Sequence, residues 1–249
     1  MKRLFAAMLV GTAMLATPAA AQDEQGNIQV KLLGTVVMPD GAITSVNVDT
    51  VGLPADTQTE ANDPARKLYA LEFMTMDGVV ESPHEWHFPY YSDELGAAVG
   101  EAQEGFDALL LGRGTYEGFA AAWPDRPDDE PGAKEMNGAH HYLVSNTVTE
   151  GPWEPTTVVS GDRAAIVQQI RELKAQPGGP IVTWGSPPLV TMLLEENLLD
   201  ELRLFVDPLV LGKGKRLFES ESRLPMRLVR STPLPKGALY LQYAPDDGA

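Results

Sequence analysis

Two apolar runs in this sequence end in a glycine and pass directly into a helical pattern. The first, in LLLGRGTYE, ends at Gly112, and the second, in IVTWGSPPL, ends at Gly185. A short apolar run bounded by glycine is typical of a buried strand, and an immediate return to helical periodicity is typical of alternating strand and helix units. The pattern therefore predicts an α/β domain with a largely parallel central sheet.

Other segments follow the same alternation. Strands are predicted at 67–74, 107–112, 140–145, 156–160, 180–186, 202–206, 210–211 and 239–243. Helices are predicted at 94–105, 116–122, 163–175 and 187–196. Ser92 or Asp93 can cap the first of these helices, and Asp162 can cap the third. The segment 124–139, with its prolines and acids, is predicted to be a surface loop.

The N-terminus has the pattern of a secretory signal. Two basic residues precede an apolar stretch, and a break at Thr17-Pro18 is followed by small residues up to Ala21. The pattern predicts a signal peptide at 1–21 and export of the chain, with the periplasm as the expected location. The alternative is an uncleaved anchor, but the apolar stretch is short for a bilayer span, and no second run approaches the required length.

Residues 22–66 form an N-terminal extension. The segments 30–37 and 42–51 are rich in β-branched residues and flank a Pro-Asp-Gly turn, which predicts a β-hairpin. Residues 52–66 then have the prolines and scattered acids of a linker. The main domain is expected at 67–245.

The balance of charge excludes some partners. The formal net charge is -16 at pH 7, so the surface repels nucleic acid and anionic lipid. A phosphorylated ligand must then be held by a local device, such as a helix N-terminus whose unpaired N–H groups carry partial positive charge. Because the sequence has no cysteine, disulfides, thiolate metal sites and a cysteine nucleophile are excluded.

The two glycine turns are candidates for such a device. Thr115 and Ser186 supply hydroxyls, Arg113 supplies a guanidinium, and glycine lets a phosphate approach the backbone. The spacing is not that of the dinucleotide-binding G-x-G-x-x-G fingerprint, because Glu117 stands where the third glycine would be. One such turn alone is typical of plain helix capping, whereas two on one sheet favour binding of a nucleotide's separated phosphates.

Several motifs together resemble one known superfamily. FMTMDGVVE, LLLGRGTYE, YLVSNT, IVTWGSPPLVTMLL and LLDELRLFVDPLVLGKGKRLF occur in the order and spacing of dihydrofolate-reductase-like proteins. More narrowly, residues 67–245 resemble the reductase domain of bifunctional riboflavin-biosynthesis deaminase-reductases. The resemblance implies a three-layer α/β fold, in which a central, mostly parallel mixed sheet is flanked by helices. It also implies NADPH bound across the carboxyl edge of the sheet, and a homodimer, since relatives of this type are commonly dimers.

The resemblance further implies which residues hold NADPH. These are Gly112, Arg113, Thr115, Ser145, Gly185, Ser186 and Leu189. The turn at 112–115 would hold a cofactor phosphate, Ser145 would lie near the adenosine 2′-phosphate, and the turn at 185–189 would cradle the pyrophosphate. Gly114 departs from the family's pattern, which has a longer and often basic residue at this position, so one phosphate contact of the family is in doubt here.

Four side chains are candidates for contact with the substrate. Hydride transfer needs a group that protonates the reduced centre, and Asp77, at the end of the first family strand, is the candidate for this catalytic role. The alternative is that Asp77 only forms an Asp-Gly turn. Trp86 and Tyr90, with Tyr91, could cover a flat substrate ring; the alternative is a hydrophobic lid that packs on the core.

No metal site is predicted. His84 and His87 flank Glu85-Trp86, but this spacing is not that of the His-Glu-x-x-His helix motif. His140 and His141 are neighbours on a strand and point to opposite faces, so they cannot chelate one ion together.

The leading interpretation is an NADPH-dependent reductase of a small heterocyclic or carbonyl substrate. The resemblance relates it to the 5-amino-6-(5-phosphoribosylamino)uracil reductase of riboflavin biosynthesis. One alternative is an envelope protein that binds a nucleotide, flavin or pterin without turnover, and another is a structural envelope protein that uses the 28–51 hairpin as a docking edge. These alternatives stay open because an exported reductase would lie away from cytoplasmic NADPH.

Overall fold

The computed structural model describes residues 21–22, 28–29, 32–37, 43–48, 65–219 and 222–246. The chain divides into two compact units, Met1–Asp63 and Pro64–Ala249. The signal peptide predicted at 1–21 lies outside the described residues except for Ala21, as does most of the linker predicted at 52–66. Within the described residues, no helix is long and apolar enough to cross a membrane.

The first unit contains two antiparallel pairs of strands. Its described strands are β1 (Ala21–Gln22), β2 (Ile28–Gln29), β3 (Leu32–Val37) and β4 (Ile43–Val48). β1 pairs with β2, and β3 pairs with β4. Val37 lies opposite Ile43, so β3 and β4 form a hairpin within the β-branched segments 30–37 and 42–51.

The second unit alternates strands and helices. Its described strands are β5 (Leu68–Thr75), β6 (Ala108–Gly112), β7 (His140–Val144), β8 (Thr156–Val159), β9 (Ile181–Thr183), β10 (Glu201–Asp207), β11 (Met226–Pro233) and β12 (Leu239–Pro245). Its described α-helices are α1 (Asp93–Ala102), α2 (Arg113–Ala122), α3 (Ala133–Gly138), α4 (Arg163–Lys174) and α5 (Pro187–Glu195). Short 3-10 turns lie at Pro83–Glu85, Phe88–Tyr90 and Pro235–Gly237.

The strands of the second unit form one mixed sheet in the order β11-β12-β10-β5-β9-β6-β7-β8. The strands from β10 to β8 pair in parallel, while β12 runs antiparallel to β10 and β11. Core residues of α4 and α5 pack on one face of the sheet, and those of α1, α2 and α3 pack on the other. The predicted three-layer α/β fold is confirmed.

Burial on both faces explains the continuous apolar run of β6. Leu110 packs with the α4 and α5 core, whereas Leu109 and Leu111 pack with the opposite core, because successive side chains of a strand point to opposite faces. The parallel pairing also brings the carboxyl ends of β5, β6 and β9 side by side. Ligands of open α/β sheets bind at this edge.

The helix caps follow the sequence prediction. Ser92 Oγ accepts a hydrogen bond from the amide of Leu95 at 3.2 Å, and Asp162 Oδ1 accepts one from the amide of Ala165 at 2.9 Å. Each bond satisfies a first-turn amide that the helix itself leaves unpaired. The prediction of Ser92 or Asp93 as a cap is therefore resolved in favour of Ser92.

Other elements differ from the sequence prediction. Residues 210–211, predicted as a strand, lie in a loop, because the amide of Leu211 donates to Asp77 Oδ1 at 3.2 Å rather than to a neighbouring strand. α3 lies inside the predicted loop 124–139, and α2 begins at Arg113 rather than at residue 116. β11 has no counterpart in the prediction, because most of its residues are exposed and it lacks a clear alternation of apolar residues.

Candidate active site

A cavity of about 1200 Å³ opens at the carboxyl edge of the sheet. Residues that line it include Glu72 and Phe73 of β5, Thr115 of α2, and Trp184 and Ser186 after β9. Small-molecule sites commonly measure about 300 to 1,000 Å³. The volume is therefore sufficient for a substrate beside part of a cofactor.

The two glycine turns meet at this cavity. The amide of Gly112 donates to the carbonyl oxygen of Gly185 at 3.2 Å, and a Cβ at Gly112 would collide with Ser186. Gly185 has φ +98°, and a Cβ there would lie 3.2 Å from Glu72 Oε1 and 3.3 Å from Thr115 Oγ1. Both positions therefore need glycine. Gly112, Thr115, Gly185 and Ser186 together are called the glycine corner below.

The two helices that start at the glycine corner offer different donors. α2 begins directly after Gly112, and the first amides of a helix have no acceptor within that helix. α5 begins with two prolines, which have no N–H, and the amide of Leu189 donates to Ser186 O at 2.9 Å. The start of α2 is therefore the stronger cradle for an anion, with the hydroxyl of Thr115 in its first turn.

Other residues predicted to hold the cofactor lie outside the described lining of the cavity. Arg113 is more than half exposed, and its Nε lies 3.9 Å from Glu117 Oε1. Ser145 Oγ accepts a hydrogen bond from the amide of Val148 at 3.1 Å, which closes the turn after β7. Leu189 is buried in the core. Their contacts with a cofactor stay predictions.

Asp77 lies in the turn after β5, where its carboxylate holds a neighbouring loop. Oδ1 accepts hydrogen bonds from Thr75 Oγ1 at 2.7 Å and from the amide of Leu211 at 3.2 Å, and Oδ2 accepts one from the amide of Gly212 at 2.8 Å. The hydroxyl of Thr75 first, and the amides after it, lower the pKa of Asp77 to about 2. An ionised carboxylate cannot donate a proton, so the geometry favours the turn-forming alternative, and a catalytic role stays a prediction.

The aromatic segment at 81–93 brings a different side chain to the cavity. Trp86 is buried, and its Nε1 donates to Glu81 O at 2.9 Å. Trp86 and half-buried Tyr90 do not belong to the described lining, whereas Tyr91 does. The predicted contact of Trp86 and Tyr90 with substrate therefore remains untested, and Tyr91 is better placed to cover a ring.

Glu72 is the functional candidate that sequence reasoning missed. The side chain lines the cavity, the residue is only 6% exposed, and Oε1 has no hydrogen-bond partner among the described residues. Burial raises the pKa of Glu72 to about 8, so the carboxyl is mainly protonated at neutral pH. Its signal in the sequence is a single acid inside the apolar strand LYALEFM, since unpaired acids are rarely buried.

Further polar groups lie next to the ring of Phe73. Trp184 lines the cavity, and its buried Nε1 has no acceptor in the part of the chain that the structure describes. His87 also lies next to Phe73, with 3.9 Å between the ring centroids, and its Nδ1 is 2.8 Å from Asp207 Oδ2. This buried pair fixes the aromatic segment against β10. Over the described ranges, no group of three or more His, Asp and Glu could hold a metal ion.

Comparison with solved structures shows that the second unit has a dihydrofolate-reductase-like fold. The dihydrofolate reductase of Enterococcus faecalis, solved with NADP(H), matches with a TM-score of 0.51 at 18% identity, over 73% of this chain and 97% of that one. The diaminohydroxyphosphoribosylaminopyrimidine deaminase/5-amino-6-(5-phosphoribosylamino)uracil reductase of Thermotoga maritima matches with a TM-score of 0.53 at 17% identity. That match covers 73% of this chain and 57% of the bifunctional protein.

Sequence comparison identifies the family. The family model of the RibD C-terminal domain matches residues 66–240. The uncharacterized protein YyaP of Bacillus subtilis strain 168 is 26% identical over 181 residues, which are 68% of this chain and 90% of YyaP. The chain therefore belongs to the RibD C-terminal domain family, and the resemblance stated from the motifs is confirmed.

Proposed function

We propose that this protein is an NADPH-dependent reductase of a small heterocyclic or carbonyl substrate. The observation that carries the proposal is Glu72, a buried and protonated carboxyl that lies against the glycine corner inside the cavity. A reductase needs a donor for the proton that accompanies the hydride, and Glu72 can be that donor at neutral pH. Membership of a family related to the uracil reductase of riboflavin biosynthesis supports the same reaction class.

The glycine corner fits the phosphates of a dinucleotide. Gly112 and Gly185 let the two turns pack closely against each other, the start of α2 provides unpaired amides, and Thr115 and Ser186 provide hydroxyls. Arg113, as the first residue of α2, adds positive charge beside these donors. The chemistry that NADPH supplies when bound is transfer of a hydride to the substrate.

The chain's own residues then have distinct tasks. Glu72 holds the proton at its carboxyl, and the N–H of Trp184 is available to a substrate acceptor. Phe73 and Trp184 exclude water from one side of the cavity, which strengthens the hydrogen bonds made there. Asp77 contributes indirectly, because its ionised carboxylate fixes the amides of residues 211–212 beside the turn that ends β5.

Export to the periplasm and a homodimer are further parts of the proposal. An exported reductase needs a source of NADPH outside the cytoplasm, and this requirement favours a second candidate function. In that alternative the same cavity binds a nucleotide, flavin or pterin without turnover. The mass of the mature N-terminus tests cleavage after Ala21, and sedimentation of the purified protein tests the dimer.

Titration with NADPH, followed by tryptophan fluorescence, tests the cofactor site. Gly114 lies in the first turn of α2 and lines the cavity, and a Cβ there would meet no described atom within 4 Å. Gly114→Glu places a negative charge beside the phosphate cradle, and Gly114→Gln is its neutral control of the same shape. An added acid in the first turn also favours the helix, so the variant is expected to fold.

We expect NADPH to bind the Gly114→Glu protein at least about tenfold more weakly than the Gly114→Gln protein, which corresponds to about 1.4 kcal/mol of charge repulsion. Equal affinities would argue against phosphate binding at the glycine corner. Consumption of NADPH with a panel of carbonyl and heterocyclic compounds then separates the reductase from the binding protein. Saturable binding without consumption of NADPH by any of these compounds would favour the second candidate.

A further inference from the structure

Residues of both α1 and α2 line one part of the cavity. We call this part, lined by Val99, Gly100, Gly118, Phe119 and Met136, the interhelical cleft. Because the whole cavity exceeds the common size of a small-molecule site, the cleft offers room for a part of the substrate beyond the reacting group.

The shape of the cleft follows from missing side chains on both helices. A Cβ at Gly100 or at Gly118 would meet no described atom within 4 Å. Glycine inside a helix destabilises it by about 1 kcal/mol relative to alanine. Two such positions that face one cavity therefore keep space open, while Phe106, Phe119 and Trp123 provide flat apolar surface.

The charges around the cavity do not favour an anionic substrate. The cations of the lining already have partners: Arg126 Nη1 lies 3.6 Å from Glu130 Oε2, and Lys215 Nζ lies 3.5 Å from Glu81 Oε1. The guanidinium of Arg126 also lies 4.4 Å from the ring centroid of Trp123. Further ionisable residues of the lining are His84, Glu104 and Glu135. A phosphate in the cavity would therefore meet acids, together with cations that already have acidic partners.

Another part of the same cavity's lining has a different chemistry. There Glu72, more than nine-tenths buried, leaves Oε1 without a partner among the described residues, and Trp184 leaves its N–H without one. These groups suit a polar head with hydrogen-bond donors and acceptors. The cleft suits an apolar body attached to that head.

We infer that the substrate is an uncharged, non-phosphorylated compound with a polar heterocyclic or carbonyl head and a flat apolar body that lies in the interhelical cleft. The inference deepens the proposed function and rests on it for the reaction at the head. It distinguishes this protein's substrate from a phosphoribosyl compound, whose phosphate would lie in an apolar space lined by acids. Burial of a charge without a partner is costly, so such a substrate would be rejected.

A matched pair of fluorescent probes tests the cleft without knowledge of the substrate. N-phenyl-1-naphthylamine is neutral, and 8-anilinonaphthalene-1-sulfonate has the same aromatic body with one anionic group. We expect saturable binding of the neutral probe with one site per chain, and at least about tenfold weaker binding of the sulfonate. Binding of the sulfonate that equals or exceeds that of the neutral probe would overturn the inference, as would no saturable binding of the neutral probe.

Substitutions locate the bound probe. Gly118→Phe fills the cleft with a ring, and Gly138→Phe adds the same ring at the end of α3, outside the described lining. We expect Gly118→Phe to weaken binding of the neutral probe at least about tenfold. Gly138→Phe is expected to leave the affinity for this probe unchanged. If circular dichroism shows that Gly118→Phe is misfolded, Gly100→Phe on the facing helix serves the same purpose. A folded cleft variant that binds the probe normally would place the probe elsewhere and refute the inference.

The outcome is independent of the cofactor experiment. NADPH affinity of the Gly118→Phe protein is expected to stay normal, because the glycine corner is untouched. A protein that binds the neutral probe in the cleft but does not bind NADPH would refute the proposed reductase and leave the cleft assignment intact. A protein that binds NADPH but does not bind the neutral probe in the cleft would refute the cleft assignment alone.

Discussion

Glu72 and Asp77 are two carboxyl groups on one strand and the turn that ends it, yet their chemistry is opposite. Glu72 is buried, and burial raises its pKa to about 8. Asp77 accepts hydrogen bonds from the hydroxyl of Thr75 and from two amides of a distant loop, which lower its pKa to about 2. At neutral pH the first group is therefore mainly a neutral acid, and the second is an ionised anchor.

The difference shows that the identity of a residue does not decide its role in a site. A carboxyl that is removed from water without hydrogen-bond donors keeps its proton, whereas one that is surrounded by donors loses it readily. Asp77 is conspicuous in the sequence because it precedes a glycine at a strand end. Glu72 is the better candidate for the proposed proton donor because of what surrounds it in the fold.

The largest expected effect is loss of turnover when Glu72 is changed. Glu72→Gln keeps the shape of the side chain but removes the acidic proton, and we expect kcat to fall by about 10²- to 10⁴-fold, the usual contribution of a general acid. Asp77→Asn is expected to retain most of the turnover, and Glu172→Gln at an exposed position of α4 serves as a neutral control. Steady-state NADPH oxidation measures all three. Strong loss in Asp77→Asn with normal turnover in Glu72→Gln would reverse the assignment.

The pH profile sharpens the same comparison. Because Glu72 must be protonated to act, kcat is expected to be constant below about pH 8 and to fall about tenfold per pH unit above it. The residual turnover of Glu72→Gln should lack this decline. A wild-type profile that is flat from pH 6 to 10, with hydride transfer shown to be rate-limiting, would contradict a proton donor with a raised pKa.

The last comparison concerns stability, on which the two carboxyls should act with opposite sign. The pKa of Glu72 in the folded protein lies above its ordinary value of 4.5. Its contribution to the free energy of unfolding is therefore full below pH 4.5 and is lost as the pH rises towards about 8. Relative to Glu72→Gln, the free energy of unfolding of the wild type should fall by up to about 1 kcal/mol per pH unit in this window. Urea unfolding at several pH values measures the difference.

For Asp77 the same experiment should show a pH dependence of stability with the opposite sign. Its folded pKa of about 2 lies below the ordinary value of 3.8, so its contribution is present above pH 3.8 and is lost as the pH falls towards 2. Asp77→Asn should therefore lower the melting temperature at neutral pH and have less effect near pH 2. Equal effects at both pH values would show that charge plays no part in holding residues 211–212.

Much of the fold could be predicted because its signals are local. The apolar runs at 107–112 and 180–186 mark buried parallel strands, and Ser92 and Asp162 mark the starts of helices. β11 escaped prediction because an exposed edge strand carries no alternation of apolar residues. The strand predicted at 210–211 is absent from the described structure because a side chain from another segment uses its amide.

The site was predicted less completely. Gly112 and Gly185 were visible as strand ends, and the structure brings them together because β6 and β9 are neighbours in the sheet. The prolines that begin α5 reduce its amide donors, which makes the start of α2 the stronger cradle. Trp184 and Tyr91 line the cavity for reasons of tertiary packing that no short motif records.

The sequence by itself determined that strands and helices alternate, that glycines stand where two strands end, and that the chain resembles dihydrofolate-reductase-like proteins. These features depend on periodicity and on backbone freedom, which neighbouring residues set. Only the tertiary structure decided which carboxyl keeps its proton and which side chains share a cavity. Burial and hydrogen bonding depend on groups that are far apart in the chain, so these properties exist only after the segments have packed.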